Sequence, residues 1–249
     1  MSTNTSTRVA LIGGAAAVAS HFAPAISWFF PLTKRVFPDL MGVRDPHEVA
    51  LSFDDGPDPA FTPQVLEILR DANIKATFFM LGEMVRRYPA VARSVAAEGH
   101  EIALHGLSHR NSLLRSPRSI GYDLATAKEI IETTTGCQVT LMRPPYGVIA
   151  PATLWNARKL GLRIVLWTSW GRDWRRLATP ETVLGDLLRH GLGGGTVLLH
   201  DSDCTSAPGS TFATIGALQE LIETCAHSGL RLVPVGAPQP LAYLGAPLS

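Results

Sequence analysis

Between residues 48 and 235 the chain switches repeatedly between short runs rich in β-branched and aromatic residues and longer stretches that suit helices, and this alternation limits its fold more than any other feature. Strand candidates fall at 48–53, 76–81, 101–105, 139–143, 163–167, 196–200 and 230–235. Helix candidates between them cover 63–72, 88–98, 117–134, 151–160, 180–190 and 211–228. Pro63, Pro151 and Pro180 stand where helices would open, because a proline at the first helical position forfeits no hydrogen bond. Gly99, Gly136, Gly161, Gly191 and Gly229 fall just past helix ends, where a left-handed residue is common. Repeated strand–helix units predict an α/β fold with a mainly parallel sheet or barrel. The expected division is an apolar segment and linker over 1–46, one large domain over 47–236, and an irregular tail rich in Pro and Gly over 237–249.

A chain of 249 residues with 46% hydrophobic and 17% charged residues can bury one sizeable core. Its formal net charge of +1 provides no field to gather nucleic acid, which is excluded as an expected partner. Cys137, Cys204 and Cys225 are too few for a disulfide framework and leave the redox compartment open. Residues 9–31 hold no charge beyond His21 and are followed by Lys34 and Arg35. Three readings fit. A cleaved signal peptide would use 9–19 as its apolar region and Ala17-Val18-Ala19 as its cleavage site; an anchor would use Trp28, Phe29 and Phe30 as an interfacial belt; a packed helix would need neither. The first two imply an extracytoplasmic or membrane-associated protein, the third allows a cytoplasmic one.

Every chemically suggestive motif lies at the end of a predicted strand, and in a parallel βα barrel those ends share one mouth. SFDDGP (52–57) supplies Asp54 and Asp55, whose side chains alternate at a strand end and can serve two roles, although the same string also makes an ordinary turn. HGLSH (105–109) supplies His105 and His109, able to converge from a helical turn or a loop, or else simply solvated. A Zn²⁺ ion accepts carboxylate oxygen and imidazole nitrogen together, and a catalytic site keeps about three protein ligands so that water can take the open position. Arg143 in LMRPPYG (141–147), stiffened by Pro144 and Pro145, can orient a carboxylate through two hydrogen bonds or be a surface residue of a rigid loop. WTSWGRDW (167–174) can line a sugar site or pack as core. His200 follows an apolar strand, where a nearby acid could tune it for proton donation. In the loop 202–210, Asp203 and Cys204 could reach the mouth, and a reactive thiol would need a lowered pKa.

Taken in order, these five segments resemble the polysaccharide deacetylases, carbohydrate esterase family four, over about residues 47–235. The resemblance implies a distorted (β/α)7 barrel and metal-dependent removal of N-acetyl groups from N-acetylglucosamine-containing glycans, with release of acetate. It implies that Asp54 is the catalytic base and His200 the catalytic acid, that Asp55, His105 and His109 hold Zn²⁺ or another divalent transition metal such as Co²⁺, and that Arg143 orients Asp54 while Asp173 tunes His200. The Tyr146 N–H would help hold the oxyanion, with Leu198 and Trp174 around the acetyl group and Trp170 near the sugar. Two positions depart from the family pattern. Gly106 stands where Ser or Thr is usual, and Trp170 replaces the first acid of Asp-x-x-Asp-Trp, which bears on substrate shape. The expected partner is an acetylated glycan, the expected state a monomer, with membrane association through the N-terminal segment. Alternatives are a deacetylase or deformylase of a lipid-linked or small amino sugar, and a non-catalytic carbohydrate-binding pseudoenzyme.

Overall fold

Strand β1 (Glu48–Asp54) runs through the middle of the sheet, and all seven of its residues are buried. A strand covered on both faces is typical of parallel sheets. The computed structural model describes residues 33–42, 44–189 and 191–237, so the apolar segment 9–31 and the tail from 238 lie outside the described residues. The remaining strands are β2 (Thr77–Met80), β3 (Glu101–Leu104), β4 (Leu141–Met142), β5 (Arg163–Ile164), β6 (Ser169–Trp170), β7 (Gly195–His200) and β8 (Arg231–Val233). The order is β5-β4-β3-β2-β1-β7-β6, with β8 beside the start of β1, and every pairing is parallel. The strands curl into a half-barrel flanked by helices, the distorted (β/α)7 form implied by the family resemblance.

Alternation along β1 sorts its side chains. Val49, Leu51 and Phe53 join the large core cluster that includes Val65 and Leu69 from the helix Thr62–Asp71. Ala50 packs instead with Phe79, Ala103, Leu141, Val165 and Val235, a cluster of residues from the strands and the chain just past them. Asp54 shares the face of Ala50 and Ser52, and so enters the barrel interior at the C-terminal strand ends. The helix Pro117–Thr135 shows how the outer layer is built: Ile120, Leu124, Ala127 and Ile131 form its buried stripe, the Ser116 side chain caps its start, and Gly136 (φ 71°) closes it.

Several elements differ from expectation. The strands predicted over 139–143 and 163–167 keep only two residues each. Pro144 and Pro145 lack the N–H a ladder needs, and the Leu166 N–H turns away to the Leu40 carbonyl at 2.7 Å. Strand β6 and the helix Gly82–Arg87 were not expected, being too short to show a periodicity. Ahead of β1, two short helices, Thr33–Val36 and Pro38–Met41, bring Met41 against Ile149, Leu166, Trp167 and Leu198. Among the described residues no helix is long and apolar enough to cross a membrane.

Candidate active site

The aspartate pair is both a turn and a site. After Asp54 the chain turns left-handed at Asp55 (φ 77°), a conformation aspartate tolerates better than most residues. The turn is fastened by Asp201, which accepts hydrogen bonds from the Gly56 N–H at 3.2 Å and the Thr62 hydroxyl at 2.6 Å. A Cβ at Gly56 would lie 2.3 Å from the Asp201 carboxylate, so only glycine fits.

His105 and His109 converge from a loop rather than a helix. His105 Nδ1 lies 2.8 Å from the Arg143 carbonyl. A carbonyl can only accept, so Nδ1 carries the proton and Nε2 presents its lone pair. That Nε2 is 3.4 Å from Asp55 Oδ1, and His109 Nε2 is 3.6 Å from the same oxygen. Burial depresses the basicity of both imidazoles, against the pull of Asp55, and takes His105 down to about 3. Asp55 Oδ1 is buried and accepts no hydrogen bond. A carboxylate oxygen with no hydrogen-bond partner faces the His105 lone pair and the His109 ring nitrogen, whose Nδ1 is also buried and unpartnered; with all three ligand atoms within 4.8 Å, this is a donor set that suits a divalent cation. Gly106 has φ 96°, which L side chains rarely adopt.

Arg143 is fully buried and is no surface residue. It gives Asp54 one hydrogen bond, Nη1 to Oδ1 at 2.6 Å, rather than the two expected. Its other N–H groups reach the Ser52 hydroxyl at 2.9 Å and the Val165 and Leu166 carbonyls at 3.2 and 2.9 Å, while the guanidinium lies 4.0 Å over the Phe79 ring. Asp54 Oδ2, 3.7 Å from His105 Nε2, is left for the cavity. Burial raises the pKa of Asp54, partly offset by Arg143 and His200.

On the opposite wall His200 Nδ1 lies 2.8 Å from Asp173 Oδ1, and the His200 backbone N–H and the Thr214 hydroxyl donate to Asp173 Oδ2 at 2.8 and 2.6 Å. Burial alone would lower the His200 pKa, but the carboxylates of Asp173, Asp55 and Asp54, Asp173 foremost, together outweigh it and lift the value from 6.5 to about 10. A group raised on folding stabilises the fold fully below its unfolded pKa and loses that contribution as pH climbs through its folded one. From about pH 6.5 to about 10, therefore, the melting temperature of chelator-treated protein falls more steeply than that of a His200→Gln variant. Parallel curves would remove this linkage.

The cavity between these walls measures about 240 Å³. Tyr146 sits left-handed (φ 61°) at its rim with its ring against His109, and its backbone N–H finds no acceptor among the described residues. Trp170 bridges Trp167 and Trp174 at ring separations of 5.7 and 5.4 Å, and Trp174 meets His200 edge-on at 5.6 Å. All three line the cavity; Trp167 is buried and packs with Met41 and Leu198, whereas Trp170 and Trp174 are half-buried. Thr205 and Ser206, unforeseen, line it too. Cys204 is no activated thiol: although the residue is exposed, local desolvation of its sulfur, with the Asp55, Asp201 and Asp58 carboxylates nearby, pushes its pKa up to about 12. The Asp203 carboxylate braces its own loop by accepting the Gly209 N–H.

Comparison with known proteins identifies the family. A family profile described as Polysaccharide deacetylase matches residues 42–165. A peptidoglycan-N-acetylglucosamine deacetylase of Bacillus cereus is 36% identical over 75% of this chain and 85% of its own. A chitooligosaccharide deacetylase of Bradyrhizobium is 34% identical over 83% and 97%. Among solved structures, a peptidoglycan N-acetylglucosamine deacetylase bound to a naphthyl-substituted N-hydroxybenzamide superposes with TM-score 0.70 at 32% identity, covering 76% of this chain and 86% of that one. A pseudoenzyme of carbohydrate esterase family four from Bacillus anthracis superposes with TM-score 0.69 at 25% identity, covering 76% and 63%. These matches set the protein among the carbohydrate deacetylases. More narrowly, the chain belongs to the polysaccharide deacetylase family.

Proposed function

We propose that the protein removes the N-acetyl group from N-acetylglucosamine units of an extracytoplasmic glycan, using a divalent cation held by Asp55, His105 and His109. The observation that carries this reading is the buried, unpartnered Asp55 Oδ1 facing the Nε2 atoms of His105 and His109. When bound, Zn²⁺ or Co²⁺ supplies Lewis-acid polarisation of the acetyl carbonyl and acidifies water.

The chain's own groups do the rest. Asp54 takes a proton from the attacking water at Oδ2, because Arg143 occupies Oδ1 and fixes the carboxylate plane. The Tyr146 N–H donates to the oxyanion that forms on the acetyl carbon, a preorganised contact of a kind worth ~3–4 kcal/mol. His200, whose protonated form the Asp173 carboxylate favours, hands a proton to the leaving amine nitrogen, which is otherwise too basic to depart. Leu198 and Trp174 enclose the methyl group, and Trp170 offers an apolar face where the family usually has an acid. With Asp54, His200 and their positioning partners all in place, the site favours an enzyme over a glycan-binding pseudoenzyme.

Acetate release from peptidoglycan fragments and from chitooligosaccharides tests this. Release is expected after loading with Zn²⁺ or Co²⁺, is abolished by a chelator and returns on reloading. Glycan binding with no turnover under any metal would instead favour the pseudoenzyme.

A further inference from the structure

The loop 202–210, directly after His200, places a hydroxyl on the cradle. Thr205 Oγ1 donates to Asp55 Oδ2 from 150 positions away in the chain. It is the hydrogen-bond donor to that carboxylate among the described residues, and Asp55 Oδ1, between His105 and His109, receives none. The two oxygens of one carboxylate are thereby sorted, one tied to the protein and one left for a ligand. The final torsion of an aspartate is broad and nearly two-fold, so without a tether the group can rotate to offer either oxygen or both. The tether is itself braced. The Ser206 N–H donates to the Asp203 carbonyl at 3.0 Å, the Ala207 N–H donates to the Trp174 carbonyl at 3.2 Å, and Cys204 Sγ lies 3.6 Å from the Asp55 carbonyl.

We propose that Thr205 is a positioning residue for cation binding, its hydroxyl holding Asp55 Oδ2 so that Oδ1 alone faces the space between the two imidazoles. This rests on the reading that the cradle holds a divalent cation. Partners of this outer kind fix the orientation of a ligand, and losing one costs ~10–100-fold in metal affinity.

The test is Zn²⁺ affinity, measured by competition with a chromophoric chelator, for the parent, Thr205→Val and Thr205→Ser, with the melting temperature of each metal-free protein. Valine keeps the shape and removes the donor; serine restores the donor. Thr205→Val is expected to bind Zn²⁺ ~10–100-fold more weakly at an unchanged melting temperature, with Thr205→Ser close to the parent. If Thr205→Val is unstable, Thr205→Ala is read in the same way. Equal affinity in the valine variant, or a serine variant as weak as valine, overturns the role of Thr205 while leaving the cradle intact. A parent that takes up no Zn²⁺ overturns the cradle itself.

Discussion

Asp54→Asn is expected to lower acetate release by ~10²–10⁴-fold or more, the scale of a lost general base, with Zn²⁺ content unchanged. Asparagine keeps the size of the side chain and an oxygen to accept the Arg143 N–H, so the wall of the cavity stays in place. What disappears is the capacity of Oδ2 to take a proton. Because the three cradle residues are untouched, metal analysis separates this variant from Asp55→Ala or His105→Ala, which should lose the ion along with turnover. Retained turnover in Asp54→Asn would remove Asp54 as the base.

Arg143→Leu should produce the largest loss of stability. Arg143 is wholly enclosed, and its removal leaves the buried Asp54 carboxylate without its cation and the Val165 and Leu166 carbonyls without donors. Breaking a buried pair from one side costs about 3–5 kcal/mol. In a domain of this size that is on the order of 10 °C in melting temperature. The same change pushes the Asp54 pKa further up, moving the acid limb of the rate profile to higher pH. Adding Asp54→Asn to Arg143→Leu should recover part of the lost stability, since the orphaned charge is then gone. A double variant no more stable than Arg143→Leu would mean that the charge is not the source of the loss.

Legibility in the sequence followed the range of the interactions. Strands β1, β3 and β7 were readable because each is a run of apolar residues ending at a polar one, and the polar residues Asp54, His105 and His200 then fell together at the mouth. The two-residue strands were not, because their limits are set by where a neighbour's carbonyl happens to sit, as Leu40 does for Leu166. Ser52, Thr214 and Thr205 escaped notice for a related reason. They are ordinary hydroxyl residues whose partners Arg143, Asp173 and Asp55 lie 91, 41 and 150 positions away. The reach of Arg143 to a carboxylate was legible, but its sharing among Ser52 and two carbonyls depends on the curl of the sheet.

The two-residue beat of β1 makes it a phase lock between packing and chemistry. Its odd-numbered residues fill the helix layer and its even-numbered ones enter the barrel, so a one-residue insertion or deletion ahead of Ser52 would send Phe53 toward the cavity and Asp54 into hydrocarbon. This strand can tolerate only replacements that keep its count.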